Sequence, residues 1–327
     1  MADLTTNYMG FHLKNPIIVS ACSLTNSAKR IKRCADAGAG AVVISSLFEE
    51  QIRSDAFNEE VSIRISGHPE AMNYIENMSM LLGPSKYINL IKEAKSSVSI
   101  PVIASLNCVS HEWWMDYALQ IEEAGADALE LNIAIMPNDL KCSDESIARI
   151  YFTILKEVKD RIRIPIAVKL APYFTCISRM ANELSNRGAD ALVLFNRYFQ
   201  FDINIDKLKL TSGYRFSSER EIYLSLRWVA LLYGRIESDL VGATGIHNGE
   251  GAIKHLLAGA SAIQICSTLY LNGMKQIEQI LGFVDKWMDN AGFNSIDQIK
   301  GKMSQKESKT PKLYERLQHI KSLSGNP

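Results

Sequence analysis

The sequence lacks long apolar runs and any excess of charge of one sign. No uninterrupted apolar stretch approaches the roughly 18 residues of a membrane span, and the N-terminus has neither the basic start nor the apolar centre of a signal peptide. The 36 basic residues balance the 36 acidic residues, and the pI is about 7.0. Because no overall basic field attracts nucleic acid or anionic membrane, we expect a soluble, cytoplasmic protein that binds neither.

Cysteine is sparse and scattered. The six cysteines are Cys22, Cys34, Cys108, Cys142, Cys176 and Cys266, and they form no Cys-x-x-Cys pair. The cysteines and the six histidines form no set of four ligands at metal-binding spacing, so we expect neither a zinc site nor an iron–sulfur cluster. Cys22 and Cys266 fall within predicted strands and Cys34 within a predicted helix. We therefore interpret these three as small buried hydrophobes in a reducing compartment.

Eight short apolar runs rich in β-branched residues recur along the chain. They alternate with segments that carry helical spacing of apolar residues and often end on glycine. The predicted strands are residues 17–22, 41–46, 101–106, 128–133, 165–170, 191–196, 239–245 and 262–267. Parallel strands joined by crossover helices satisfy this pattern, so we expect an α/β fold, a single (β/α)8 TIM barrel.

Two connections are longer than a simple barrel requires. They span about residues 48–99, after the second predicted strand, and about 197–238, after the sixth. Both leave the carboxyl-terminal face, where barrel enzymes build their active sites. Aromatic residues within 195–202 could wall a planar ligand or simply pack. We assign residues 1–300 to one barrel domain with these two insertions, and residues 301–327 to a polar C-terminal helix or tail.

Polar side chains stand at the carboxyl-terminal end of nearly every predicted strand. They are Cys22, Ser23, Ser45, Ser46, Asn107, Asn132, Lys169, Asn196, Thr244 and Ser267. A single Asn in such a place often only caps a turn. Lys169 is more informative, because an ammonium flanked by Val168 and Leu170 is costly to bury unless an anion or acceptors receive it. Its alternative role is a structural ion pair with Glu130.

The last two predicted strands end in a pattern typical of phosphate binding. Residues 241–249 (VGATGIHNG) finish a strand in small residues and open a helix, and residues 264–268 (QICST) place two hydroxyl groups at the next strand end. In barrels, backbone N–H groups and a helix N-terminus at this position face an anion. We therefore predict a phosphate site here.

Several stretches, taken in order, resemble the FMN-containing dihydroorotate dehydrogenases, particularly the soluble class and its dihydroorotate-dehydrogenase-like relatives. The resemblance runs from about Leu4 to Gly301. It rests on residues 15–23 (NPIIVSACS), 129–133 (LELNI), 165–174 (PIAVKLAPYF), 194–197 (LFNR) and 255–265 (HLLAGASAIQI). It implies a barrel that binds FMN, a homodimer and a role in pyrimidine biosynthesis.

The resemblance also implies roles for individual residues. Lys169 would lie beside the N1/O2 edge of the flavin and stabilise the negative charge that develops when hydride reaches N5. Asn132 and Asn196 would contact flavin or substrate, and Asn77 matches a further substrate-binding position. The other implied cofactor contacts are Ala21, Cys22, Ser45 and Asn107 for the ring and ribityl chain, and Thr244, Gly245, Ser267 and Thr268 around the phosphate.

Three positions depart from the family pattern. The soluble enzymes carry a Cys base after their fourth strand, and here Ile135 or Met136 takes its place, neither of which accepts a proton. Ser45 stands where a Lys is usual, and Cys266 where a Gly approaches the phosphate. Cys142 lies a few residues later in the same loop as the missing base, and is our candidate substitute.

These observations leave three hypotheses. The first is an FMN-dependent oxidoreductase acting on a CH–CH group of dihydroorotate or a related dihydropyrimidine-like substrate. The second is an FMN-binding protein with little turnover. The third is a non-flavin barrel aldolase in which Lys169 forms a Schiff base. Under the first hypothesis, the sequence does not identify the electron acceptor: fumarate, NAD through a partner subunit and other acceptors are all compatible with it.

Overall fold

The chain folds into a closed parallel barrel surrounded by helices, as the strand pattern predicts. The computed structural model describes residues 2–49, 84–107, 114–136, 138–198, 200–213 and 216–315. Asn77 and most of the insertion after the second barrel strand lie outside the described residues, as does Cys108. The expected α/β (β/α)8 TIM barrel is confirmed.

The strands form one large sheet and two small hairpins. Their bounds are β1 Thr6–Tyr8, β2 Phe11–Leu13, β3 Ile17–Val19, β4 Ala41–Val43, β5 Leu47–Phe48, β6 Val102–Asn107, β7 Ala128–Asn132, β8 Ile166–Leu170, β9 Ala191–Leu194, β10 Phe201–Asn204, β11 Lys209–Ser212, β12 Asp239–Ala243 and β13 Ala262–Ile265. The barrel runs β3-β4-β6-β7-β8-β9-β12-β13 and closes through the parallel pairing of β13 with β3. The short β5 adds to the carboxyl end of β6.

The helices follow the strands in sequence and cover the outside of the barrel. They are α1 Ala28–Asp36, α2 Pro84–Ser97, α3 Trp114–Glu123, α4 Asp144–Lys159, α5 Ile177–Asn186, α6 Ile222–Leu232, α7 Gly249–Ala258, α8 Ser267–Asn272, α9 Gln276–Ala291 and α10 Lys312–Glu315. Helix α4 begins at a Ser143 side chain that accepts a hydrogen bond from the Ser146 N–H. Helix α7 begins in the same way at Asn248, which accepts from the Gly251 N–H. Side-chain caps of this kind satisfy N–H groups that have no partner within the helix.

The apolar core has two parts, one between strands and helices and one inside the barrel. Ile17, Val19 and Ile263 belong to the outer part, whereas Ile18 on the same strand as Ile17 belongs to the inner part. This alternation follows from the two-residue period of a strand. The inner part also contains Tyr8, Met9 and Leu13 of the β1–β2 hairpin, so the hairpin closes one end of the barrel.

Six of the eight predicted barrel strands extend too far at their carboxyl ends; the exceptions are β6 and β8. Cys22 and Cys266, placed within strands by the sequence pattern, lie beyond β3 and β13 and precede short helices. Both are half-buried instead of fully buried, so their interpretation as simple core residues is wrong, whereas Cys34 is buried in α1 as expected. The strands end early because their final small and polar residues favour the turn into the next helix.

The segment after the barrel differs from the solvated helix expected from its composition. Backbone N–H groups of Gly301 and Met303 donate to the Leu256 and Leu257 carbonyls of α7, and the Gln305 N–H donates to the Ala230 carbonyl of α6. The α-helix of this segment, α10, begins at Lys312. The start of the tail is therefore part of the packed domain.

Candidate active site

A cavity of about 390 Å³ opens at the carboxyl-terminal ends of β3, β8, β9, β12 and β13. Seven of the cofactor contacts implied by the family resemblance line it, namely Ala21, Cys22, Lys169, Asn196, Thr244, Gly245 and Ser267. They come from five different strands, and they converge because parallel strands deliver their carboxyl ends to one face of a barrel. A concave site with convergent polar groups is the expected form of a small-molecule site.

Lys169 is the central charged group of the cavity. Its ammonium donates hydrogen bonds to Ser20 Oγ at 3.0 Å and Gln264 Oε1 at 2.9 Å, and lies 3.3 Å from Glu130 Oε1. Gln264 in turn donates from Nε2 to Glu130 Oε2 at 2.5 Å. Side chains of Lys169 and Glu130 are 8% and 0% exposed, so the ion pair predicted as the alternative role of Lys169 exists, and Lys169 lines the cavity as well.

The hydrogen bonds around Lys169 offset the free-energy cost of burying its charge. An ammonium and a carboxylate removed from water each lose several kcal/mol of hydration, which only close pairing and additional hydrogen bonds offset. Ser20 and Gln264 supply those additional bonds, and Gln264 bridges both charges through its two ends. The positive charge is thereby held at a defined position on the cavity wall.

Asn132 and Asn196 form an amide pair beside Lys169. Asn196 Nδ2 donates to Asn132 Oδ1 at 2.8 Å. Asn132 is the register partner of Lys169 between β7 and β8. Asn196 follows β9 and lies on the cavity wall, and Asn132 supports it from β7, on the far side of β8. The pair therefore fixes the orientation of the Asn196 amide toward the cavity.

The predicted phosphate region is built from an unusual turn and two helix starts. Thr244 and Gly245 both have left-handed backbone, with φ of 71° and 80°. A side chain on Gly245 would collide with the backbone of Ile222, so only glycine fits there. Thr244 Oγ1 donates to the Phe195 carbonyl at 3.0 Å, and Ser267 Oγ accepts from the Ser217 N–H at 3.0 Å.

Thr268 is positioned behind this region. Its hydroxyl donates to the His247 carbonyl at 3.0 Å, and its side chain is completely buried. It is not among the residues that line the cavity. Thr268 is therefore hydrogen-bonded to the loop before α7 and does not face the cavity.

Comparison with known proteins shows the family to which this chain belongs. The family model described as dihydroorotate dehydrogenase matches residues 3–288. The chain belongs to the dihydroorotate dehydrogenase family. The catalytic subunit of dihydroorotate dehydrogenase B (NAD(+)) from Methanocella arvoryzae is 31% identical, over 82% of this chain and 87% of that protein. The resemblance noted in the sequence is confirmed.

Two further relatives match over greater lengths. The subunits of the same name from Methanothermobacter thermautotrophicus and Thermoplasma acidophilum are 27% and 28% identical to this chain. The alignments cover 91% and 92% of this chain, and 97% and 99% of those proteins. As a member of the dihydroorotate dehydrogenase family, the chain is a dihydroorotate dehydrogenase-like oxidoreductase of the kind that acts on CH–CH groups.

Within this dihydroorotate dehydrogenase fold, three other residues predicted from sequence lie away from the cavity wall. Ser45 is half-buried and its N–H donates to the Thr25 carbonyl at 3.3 Å. Asn107 ends β6 opposite Phe48. Cys142 is exposed, with its thiol 3.8 Å from Asp139 Oδ2. Residues 50–83 and 108–113, which adjoin two of these positions in sequence, lie outside the described ranges.

The two positions expected from the resemblance to stand in place of a Cys base are apolar side chains without acid or base function. Ile135 packs against the outer core, and the Met136 side chain is 53% exposed. Neither residue lines the cavity. Cys142, the candidate substitute, is held at the surface by its contact with Asp139 in this conformation.

Several cavity residues escaped the sequence analysis. Phe216 and Tyr270 stack with ring centroids 5.0 Å apart, and both line the cavity. Ser217 Oγ lies 3.1 Å from His247 Nε2, and burial lowers the pKa of His247. Phe216 and Ser217 come from the long connection after β9, where no local periodicity signals their position. Gln264 was detectable, because it is a polar residue between two isoleucines on a buried strand.

The described part of the chain also bears on two expected absences. None of its helices is both long and apolar enough to cross a membrane. It contains no group of three or more His, Cys, Asp and Glu side chains arranged to hold a metal ion.

Proposed function

We propose that this chain is an FMN-dependent oxidoreductase that oxidises a CH–CH bond of dihydroorotate or a related dihydropyrimidine-like substrate. The observation that supports it best is the buried Lys169 ammonium on the cavity wall, held in place by Ser20, Glu130 and Gln264. A fixed positive charge in a water-poor site stabilises negative charge that develops during a reaction, without reorganisation at that moment.

The residues present fit FMN in their chemistry. FMN combines a planar polar ring with a phosphate, and when bound it would supply the hydride-accepting N5. Lys169, Asn196 and Asn132 would hold and polarise the ring, with Ala21 and Cys22 beside the ring and ribityl chain. Ser45 and Asn107, which the family resemblance also implies as contacts, lie off the wall of this cavity and would contribute only if the ribityl chain extended beyond it. The left-handed turn at Thr244 and Gly245, with Ser267, would hold the phosphate, and Thr268 would support that region from behind.

The Glu130 ion pair argues against a Schiff-base aldolase. Such chemistry needs an uncharged, nucleophilic amine, whereas Lys169 is an ammonium that gives hydrogen bonds to three neighbours. The same contacts suit a lysine whose role is to remain charged.

Proton abstraction is the step for which this chain is least equipped. The family's Cys base is replaced by Ile135 or Met136, and we expect proton removal to be slower by about 10²–10⁴-fold unless another group substitutes. We keep Cys142 as the candidate substitute, which would require its loop to move from the surface to the cavity. Replacement of Cys142 with Ala tests this: an unchanged rate of flavin reduction by substrate would exclude Cys142.

The oxidising partner and the assembly are proposed from the relatives. Those relatives are catalytic subunits of dihydroorotate dehydrogenase B (NAD(+)). We propose that this chain likewise passes electrons to a partner subunit and forms a homodimer in the cytoplasm. The rates at which NAD, fumarate and other acceptors reoxidise the reduced flavin identify the oxidising partner.

The deciding experiment is a visible absorption spectrum of the purified protein, followed by anaerobic addition of dihydroorotate. We expect flavin bands, bleached by dihydroorotate or by a related dihydropyrimidine. Bands that only dithionite bleaches would support an FMN-binding protein with little turnover. A colourless protein that does not take up added FMN would overturn the proposal.

Two lysine variants test whether the rate of flavin reduction depends on the charge of Lys169. Lys169→Met should slow flavin reduction by about 10²–10³-fold, in line with the loss of a fixed group that stabilises developing charge. Lys32→Met removes an exposed lysine of α1, paired only with Asp36 four residues away, and should leave the rate unchanged.

A further inference from the structure

The cavity wall carries positive charge at two separate points. Among the lining residues that the structure describes, Lys169 and Arg197 are the charged ones, and none is acidic. Lys169 lies 3.3 Å from Glu130 Oε1. Arg197 Nε donates to Glu221 Oε1 at 2.7 Å. Neither of these carboxylates belongs to the residues that line the cavity, so the lining itself offers cationic side chains to an incoming ligand.

Arg197 belongs to a short segment that joins the two parts of the site. The Asn196 N–H donates to the Leu170 carbonyl at 2.7 Å, so this segment leaves β9 alongside the end of β8. One residue earlier, the Phe195 carbonyl accepts from Thr244 Oγ1 at 3.0 Å, which ties the segment to the left-handed turn after β12. The backbone of this segment thus lies between the two parts, and the side-chain contacts of Arg197 decide which part its charge serves.

The contact with Glu221 places the guanidinium at the predicted phosphate region. A Cβ on Gly245 would collide with the backbone of Glu221 and Ile222, so Glu221 lies directly against the left-handed turn. Its second carboxylate oxygen, Oε2, accepts from the Ser218 N–H at 2.6 Å, so both oxygens of the carboxylate are fixed. The Arg197 side chain is 18% exposed. Its guanidinium is therefore held beside the turn that contains Gly245.

The phosphate region otherwise offers uncharged groups to a ligand. The other residues that line this part of the cavity, within the described ranges, are Ser217, Thr244, Gly245 and Ser267. A phosphate monoester carries about 1.5–2 negative charges near neutral pH. A guanidinium has five N–H groups in a rigid plane, so it can bond a carboxylate and a second anion at the same time. Its hydrogen bonds to phosphate are about twice as strong as those between neutral groups.

We propose that Arg197 binds the phosphate of FMN, and that it makes the cavity select FMN over riboflavin, the same flavin without its phosphate. This inference rests on the proposed function and deepens it, because it names the side chain that recognises the charge of the phosphate. Glu221 is a positioning residue, since its carboxylate orients the guanidinium without lining the cavity. Arg197 contributes to binding and takes no part in hydride or proton transfer.

Two other roles would suit an arginine at this position. In the first, the ion pair with Glu221 only fastens the segment after β9 to the residues before α6. Loss of such a pair would disturb the binding of FMN and riboflavin alike. In the second, the guanidinium binds a carboxylate of the substrate, and its loss would leave the affinity for both flavins unchanged. Phosphate binding alone predicts a loss that is specific to FMN.

The test measures the affinity of the full-length, flavin-free protein for FMN and for riboflavin by quenching of flavin fluorescence. We expect Arg197→Gln to weaken FMN binding by about 10–100-fold, as the loss of charge-assisted hydrogen bonds does, and riboflavin binding by less than about twofold. Equal weakening for both flavins, or unchanged FMN affinity, would overturn the role of Arg197 and leave the proposed function intact. A wild type that binds neither flavin would overturn both.

Two matched variants separate the charge from the ion pair. Glu221→Gln breaks the same ion pair and keeps the cation, so it should weaken FMN binding several-fold less than Arg197→Gln does. Equal losses in the two variants would show that only the ion pair matters, and would contradict phosphate binding. Arg187→Gln removes an exposed arginine at the end of α5, 3.0 Å from Glu183, and should change neither affinity.

A conservative variant keeps the proposal testable if Arg197→Gln does not fold. Arg197→Lys retains the positive charge but lacks the planar fork that bonds two phosphate oxygens. It should lower the preference for FMN over riboflavin several-fold, because part of the phosphate contact is lost. A preference equal to that of the wild type would contradict the proposal.

Discussion

The two ends of the barrel interior are made by the same strands and differ in chemistry. At one end the β1–β2 hairpin inserts Tyr8, Met9 and Leu13 among apolar barrel residues. The Met9 N–H is bound to Asp239, the first residue of β12, which identifies this as the amino-terminal end. At the other end the interior contains the Lys169–Glu130 ion pair and opens into the cavity.

Along the barrel axis, the apolar end contributes mainly to stability, whereas the polar end provides the groups for ligand binding and reaction. The apolar end gains free energy from burial, at roughly 25 cal/mol per Å² of apolar surface removed from water. The polar end loses hydration, and its charges persist only because they are bonded to each other and face a cavity. We therefore expect substitutions at the amino-terminal end to act on folding, and substitutions at the carboxyl-terminal end to act on ligand binding and rate as well.

The largest effect is expected at the polar end. Lys169→Met leaves Glu130 buried without its charged partner and should lower the free energy of unfolding by about 3–5 kcal/mol. Chemical denaturation measures this directly. The double variant Glu130→Gln with Lys169→Met removes both charges and should recover much of the loss. Equal stability of the single and double variants would show that the ion pair is not what stabilises this end.

A large effect on folding alone is expected at the apolar end. Leu13→Ala removes a side chain that is 1% exposed, and should cost about 2–5 kcal/mol in unfolding free energy. FMN affinity, measured by fluorescence quenching, should change less than twofold. Leu119→Ala, at a position on α3 that is 39% exposed, is the matched control and should cost less than about 1 kcal/mol. A Leu13 variant that lost FMN affinity would show that the two ends are coupled.

The smallest effect concerns two buried tyrosines. Among the described residues, the Tyr8 hydroxyl has no hydrogen-bond partner, whereas the Tyr87 hydroxyl donates to the Ser105 carbonyl at 3.0 Å and accepts from the Ser105 N–H at 2.8 Å. Tyr8→Phe should therefore raise the unfolding free energy by about 1 kcal/mol, and Tyr87→Phe should lower it by a similar amount. Thermal melts of both variants test the opposite signs; a loss of stability in Tyr8→Phe would reveal a partner for its hydroxyl.

The barrel was predictable because its strands repeat one pattern, and several site residues were predictable because they end those strands. Lys169 and Asn196 needed only the position of the strand ends. The two roles considered for Lys169, ion pair and cavity wall, turned out to be compatible, because its ammonium reaches Glu130 from a position on the wall. Sequence spacing does not distinguish these roles, since it gives no information on side-chain reach.

Other parts of the site depend on tertiary contacts that no local pattern encodes. Ser217 reaches the cavity only because the long connection after β9 folds back over α8, where its N–H meets Ser267. Cys22 and Cys266 line the same cavity only because β13 pairs with β3, two strands from opposite ends of the sequence. Their strand assignment was wrong because short apolar runs do not show where a strand turns into the next helix.

The tail segment that follows the barrel has a consequence for how its sequence can vary. Residues 301–305 bridge α6 and α7 through main-chain amides of Gly301, Met303 and Gln305, which recognise carbonyl positions and are indifferent to side-chain identity at the exposed Met303. Gly301 is the exception, because any larger residue would collide with the ring of Tyr233. The sequence of this segment can thus vary at the outward-facing Met303, whereas position 301 must remain glycine if the segment is to keep α6 and α7 linked.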